Sequence, residues 1–132
     1  MFKVPNAGRA VALAVMLAAG AGAAYAHHGW SWTQQNEITR LEGKLVAVAL
    51  INPHATIDID VEGTVWHVEL APLTRTRAAG FVDGVAQPGD SIIAFGNRST
   101  VANETLMKAV RIIVNGTTYD VYPDRVGNVP SA

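Results

Sequence analysis

The chain has 132 residues, no cysteine, 49% hydrophobic and 16% charged residues, and a formal charge of −1. Without cysteine there is no disulfide framework, thiol catalysis, iron–sulfur cluster or lipidated-cysteine anchor. Without a basic excess there is no electrostatic footprint for nucleic acid.

The totals mix two objects. Residues 1–26 read as a secretory signal peptide: Lys3 and Arg9 form a positive n-region, residues 10–23 an Ala-rich apolar stretch, and Ala24-Tyr25-Ala26 an A-x-A cleavage site. The apolar run is too short for a comfortable membrane span, so no span is expected after cleavage. Removal of this segment leaves residues 27–132, with eight basic and eleven acidic side chains. That is one domain's worth of chain in an exported, periplasmic or secreted protein.

In the mature chain, residues 27–37 read as an extended polar and aromatic arm. Trp30 and Trp32 would share a face there and pin the arm to the body. Residues 38–51 read as a long strand that alternates at first and then turns apolar on both sides, with Gly43 as the expected bulge. Asn52-Pro53 ends it. Residues 54–61 and 64–70 alternate as a hairpin around Glu62-Gly63, with glycine free to take a positive φ. A two-residue loop places Ile59 opposite Trp66 and Ile57 opposite Val68, so both apolar sets fall on one side. The same register sets His54 opposite Ala71 and His67 opposite Asp58.

Residues 72–81 read as a helix of two turns or so, with Thr74 as N-cap and Gly80 just past its end. Gln87-Pro88-Gly89-Asp90 is a turn. Residues 91–99 and 106–114 are the fourth and fifth strands, Asn115-Gly116 is a tight hairpin turn, and residues 117–122 pair back as a short last strand. Residues 123–132 read as a flexible tail. Three strands, a short helix and further strands give the order of a small all-β, OB-fold-like barrel over residues 38–122. Closure would remove the exposed edges that a small secreted sheet must otherwise protect.

The whole mature chain resembles DUF6152, a family of small exported bacterial proteins of unknown function. The matching features are Ala26-His27-His28, Leu41-Glu42-Gly43 followed by Val46, Asn52-Pro53-His54, Trp66 and Glu69, Pro88-Gly89-Asp90, and the run from Asp120 to Asp124. Many members carry Ser and Phe where this chain has Gly29 and Trp30. The resemblance implies an exported β-barrel and brings no activity with it.

Chemistry therefore rests on four histidines: His27, His28, His54 and His67. Cleavage after Ala26 makes His27 the new N-terminus, where its amine and Nδ1 chelate one ion. A second imidazole from the body completes the three-nitrogen set called a histidine brace, a donor set that favours Cu(II). The amine and imidazoles titrate close enough to neutrality to be deprotonated by the metal. His54 is the partner of choice, since it sits at a strand mouth fixed by Pro53. It stands four residues along the hairpin from His67, about 13 Å at the strand rise, so one ion cannot take both. His67 is explained as the cross-strand partner of Asp58. His28 can contribute instead, through its ring and backbone amide. Two imidazoles and a carboxylate also suit zinc. Only Met107 remains after cleavage, which argues against a thioether-based Cu(I) carrier.

The sequence thus points to a copper-binding protein of the periplasm that stores, delivers or senses the ion. The competing reading is a metal-free binding or assembly module, whose barrel face and Trp pair contact an envelope protein or an oligosaccharide. A brace-type oxidase is disfavoured, because the mature chain leaves little room for a substrate platform and offers no second catalytic group.

Overall fold

The computed structural model describes residues 29–132. Residues 1–26, read from the sequence as a signal peptide, and the His27-His28 pair lie outside the described residues. The described residues fall into two units, one ending at Trp32 and one spanning Thr33–Ala132. In the first, Trp32 is buried and Trp30 half-buried. The second holds six strands and a short helix: β1 (Thr39–Ala49), β2 (His54–Val61), β3 (Thr64–Pro72), α1 (Leu73–Ala78), β4 (Ser91–Arg98), β5 (Leu106–Val114) and β6 (Thr117–Asp120). The sheet order is β3-β2-β1-β4-β5-β6, and a parallel pairing of β3 with β5 closes the first five strands into a barrel. The OB-like expectation is met. β6 adds an outer strand beyond the closure, antiparallel to β5.

The hairpin forms as its alternation dictates. Ile57 faces Val68, Asp58 faces His67 and Ile59 faces Trp66. Glu62 and Gly63 both take positive φ, 52° and 87°, which matches the twist of the two strands. Ile57, Ile59, Val68 and Leu70 are buried together with Leu41, Leu45, Ile92, Met107 and Ile112 in one core. The register slips beyond Thr56, where Leu70 and Ala71 together oppose Ala55, so His54 faces Pro72 rather than Ala71. The extra β3 residue is accommodated because Ala55, Leu70 and Ala71 are all fully buried and two of the three are small.

The bulge in β1 falls at Val46, not at Gly43: Leu45 pairs with Ile59 and Ala47 with Asp58. The extra residue flips the strand's parity. Leu41 and Leu45 face the core before it, Val48 and Leu50 pack against the core after it, and Val46 is exposed. This is why the second half of the strand is apolar on both sides. Gly43 has a different task, since a Cβ there would lie 1.9 Å from the Asp60 carbonyl oxygen. The backbones of β1 and β2 approach too closely at this point for any side chain. A further bulge, at Val110 of β5, does the same to that strand, with Phe95 opposite Arg111 and Gly96 opposite Ala109.

Several expected boundaries move. Residues 29–36 form bends and turns rather than an extended arm. Gly29 takes φ +74°, and the Asn97 amide donates to the carbonyls of Gln34 and Glu37, at 2.9 Å each. Thr74 does not cap α1: β3 runs straight into the helix through Pro72, which occupies the N-cap position. Thr76 is the structural threonine, buried and donating to the Ala71 carbonyl at 2.8 Å. Gly80 follows the helix end at φ +93°, as its position predicts. β6 stops at Asp120, and Pro123–Arg125 form a 3-10 turn. Beyond it, the Val129 carbonyl accepts from Arg111 Nη1 at 2.7 Å, and the Ala132 amide donates to the Thr118 hydroxyl at 3.3 Å.

Candidate functional site

The outer face of the β3–β5 seam carries the polar cluster that contains His54. In the parallel pairing Val68 faces Met107 and Glu69 faces Lys108. Val68 and Met107 point into the core, so Glu69 and Lys108 point outward. His54 leads into β2 on the same side. Its Nε2 lies 3.8 Å from Glu69 Oε1, and the Lys108 ammonium lies 3.6 Å from that same oxygen. One carboxylate thus stands between two nitrogen bases. The His54 side chain is 20% exposed and that of Glu69 16%, whereas Lys108 is 2% exposed.

Lys108 is sealed by the segment after β6. The Tyr122 amide donates to the Val110 carbonyl at 3.1 Å, and Lys108 Nζ sits 5.7 Å from the centre of the Tyr122 ring. Arg75 of α1 covers the same ring at 5.1 Å and pairs with Asp124 at 3.6 Å. Burial pushes the Lys108 amine below the usual lysine range, against the opposing pull of Glu69. Burial also raises the Tyr122 phenol, with the Glu69 charge adding to the effect.

The run 120–124 acquires a role residue by residue. Asp120 binds Arg111 with both oxygens, at 2.5 and 2.9 Å, directly across the β5–β6 pair. These hydrogen bonds hold the Arg111 guanidinium even more firmly protonated than usual. Tyr122 roofs Lys108, and Asp124 anchors Arg75.

Of the sequence-derived metal ligands, the structure places His54; His27 and His28 lie outside the described residues. Among the described residues no three His, Asp or Glu side chains are grouped for a metal ion. His67 meets Asp58 at 2.7 Å, as the register predicts. Glu69, Lys108 and Tyr122 are the members that the sequence reading missed. The available signal was Lys108, one of two cationic residues (with Arg111) in a mostly apolar strand.

A second feature lies on the outer face of β1 and β4. A groove of about 810 Å³ runs between Arg40, Glu42 and Lys44 on one side and Phe95 and Ile113 on the other, with Pro130 at its rim. Lys44 donates to the Ser91 hydroxyl at 2.8 Å, and Arg40 pairs with Glu42 at 2.7 Å. Among the described residues no helix is long and apolar enough to cross a membrane.

The profile of DUF6152, a family of unknown function, matches residues 13–107, and the chain belongs to that family. Among solved structures, the ZRD-deleted mutant of TiaS in complex with agmatine aligns over 64% of this chain at 16% identity and a TM-score of 0.49. This chain spans about a quarter (26%) of that protein's length. No curated protein sequence matches.

Proposed function

We propose that the protein is exported and binds Cu(II) in a histidine-brace-like site. The ligands are the His27 amine, the His27 ring and His54, with His28 as the alternative terminal donor. The role is copper storage, delivery or sensing in the periplasm. The observation that supports this reading is the setting of His54. It is a half-buried imidazole at the start of β2, with the Glu69 carboxylate 3.8 Å from one ring nitrogen. Zinc is the competing ion. The test compares mature protein starting at His27 with a form carrying one extra N-terminal residue, both titrated with Cu(II). Sub-micromolar binding by the first alone supports the site, and equal weak binding by both removes it.

The second reading is a metal-free envelope module that contacts a protein or an oligosaccharide. The groove between β1 and β4 supports it, because its volume falls in the range of sites that hold a small ligand or a few sugar units. Copper-independent capture of a partner, lost when Phe95 and Arg40 are replaced, would favour this reading.

A further inference from the structure

We infer that the outer face of β1, β4 and β5 is a docking groove for an extended, uncharged polypeptide segment, and that residues 126–132 of this chain fill the middle of it. This deepens the second reading, the metal-free module that contacts a partner, and rests on it.

The first observation is a burial that the core does not explain. Ile92 and Ala94 of β4 point into the barrel, so Ser91, Ile93 and Phe95 point out. Phe95 is nevertheless 4% exposed and Ile113 of β5 7%, and neither belongs to the barrel core. The segment that follows the 3-10 turn lies against them. Pro130 lines the groove of about 810 Å³ with Phe95 and Ile113. Val126, Val129 and Pro130 line a second cavity of about 470 Å³ with Phe95 and Ile38. Arg40, Phe95 and Pro130 border both. One trough therefore crosses this face with the segment laid over its middle. Its apolar floor continues on either side, to Ile93 in one direction and to the exposed Ile38 in the other.

The second observation is how the segment is held. Arg111, fixed by both Asp120 oxygens, donates through Nη1 to the Val129 carbonyl at 2.7 Å. The Thr118 hydroxyl accepts from the Ala132 amide at 3.3 Å. Both bonds address main chain, a carbonyl and an amide three residues apart. Any extended peptide offers that pattern, whereas a sugar chain does not. The side chains of residues 126–132 are uncharged; Val126 and Val129 are half-buried and the others exposed. The ion pairs Arg40–Glu42 and Arg111–Asp120 on this face balance in sign, which suits an uncharged occupant. The partner's chemistry is thus that of the segment already seated: small or β-branched apolar residues and a proline, gripped through the backbone. A tethered segment competes at an effective concentration on the order of millimolar, so a partner enters by displacing it.

The experiment uses protein beginning at His27 and a fluorescent peptide with the sequence of residues 126–132. Val126→Asp with Val129→Asp puts charges at the two half-buried positions of the segment and leaves the barrel core untouched. The peptide is expected to bind this double variant at least about 10-fold more tightly than the unaltered protein, where the tethered copy competes. Adding Thr118→Val is expected to weaken that binding. In the unaltered protein, millimolar peptide is expected to shift the NMR signals of Phe95 and Ile113, a readout independent of how the variant folds. A folded double variant that binds the peptide no better than the unaltered protein, or Phe95 and Ile113 signals that do not move, overturns the inference. Cellohexaose or chitohexaose moving those signals in place of the peptide would remove peptide docking and leave the groove reading standing. If neither sugar nor peptide moves them, both fall.

Discussion

Glu69 and Lys108 face each other across the parallel seam that closes the barrel, with 3.6 Å between carboxylate and ammonium and the lysine 2% exposed. A barrel of this size closes by pairing two strand edges, and here the outward face of that pairing carries a buried charge pair instead of apolar contacts. Breaking one partner strands the other. Glu69→Gln alone is expected to destabilise the fold by about 3 kcal/mol, because an ammonium is left buried without its counter-charge. Adding Lys108→Met recovers most of that loss. Urea denaturation of the three proteins measures it; equal midpoints for single and double variants would show that the pair carries no energetic coupling.

The same lysine gives stability a pH dependence with a definite sign. Its folded pKa lies below its unfolded value of about 10.4. Between those two values the unfolded chain binds more protons than the folded one, so the Lys108 contribution rises with pH and is lost as pH falls through the folded pKa. Tyr122 acts in the opposite sense above pH ~10, where its raised pKa lets the unfolded chain ionise first. Melting temperatures of wild type and Lys108→Met measured from neutral pH to pH ~10 are expected to diverge in slope, the variant losing the alkaline rise.

Gly43 tolerates no side chain. The Cβ of an alanine there would lie 1.9 Å from the Asp60 carbonyl oxygen, a backbone atom that cannot step aside. Gly43→Ala is expected to destabilise by about 3 kcal/mol or more, at the upper end of overpacking costs. Gly63→Ala meets no nearby atom and serves as the control for turn strain alone. A Gly43→Ala protein with an unchanged denaturation midpoint would contradict the close approach of β1 and β2.

The Arg111–Asp120 pair ties β6 to the closed barrel and holds the chain end through the Val129 carbonyl. Asp120→Asn keeps the shape and removes the charge; a loss of about 2–3 kcal/mol is expected. Hydrogen exchange should show faster amides in residues 117–129 than in the β2–β3 hairpin. Uniform exchange across the chain would separate the pair from any role in fixing the terminus.

The fold was legible where local chemistry fixes register. Glu62-Gly63 accepts only a tight turn, and strict alternation on both sides leaves a single pairing that buries Ile57, Ile59 and Val68 together. It was not legible at Val46, Val110 and the Leu70-Ala71 step, because a bulge inserts a residue without leaving a mark in an already apolar segment. The helix start was misplaced for a related reason: β3 carries its extended backbone through to Pro72, and Thr74 never meets an unpaired helix end. At the candidate site, residue type and a place at the strand mouth after Pro53 pointed to His54. Its neighbours required the parallel β3–β5 pairing, a contact between strands nearly forty residues apart that no local pattern announces.

The most direct measurement is electron paramagnetic resonance of mature protein carrying one equivalent of Cu(II). The account predicts an axial spectrum with three coupled nitrogens in protein that begins at His27, and the loss of one of them in His54→Ala. A spectrum that His54→Ala leaves unchanged would contradict it, since the ion would then be held without the strand-end imidazole.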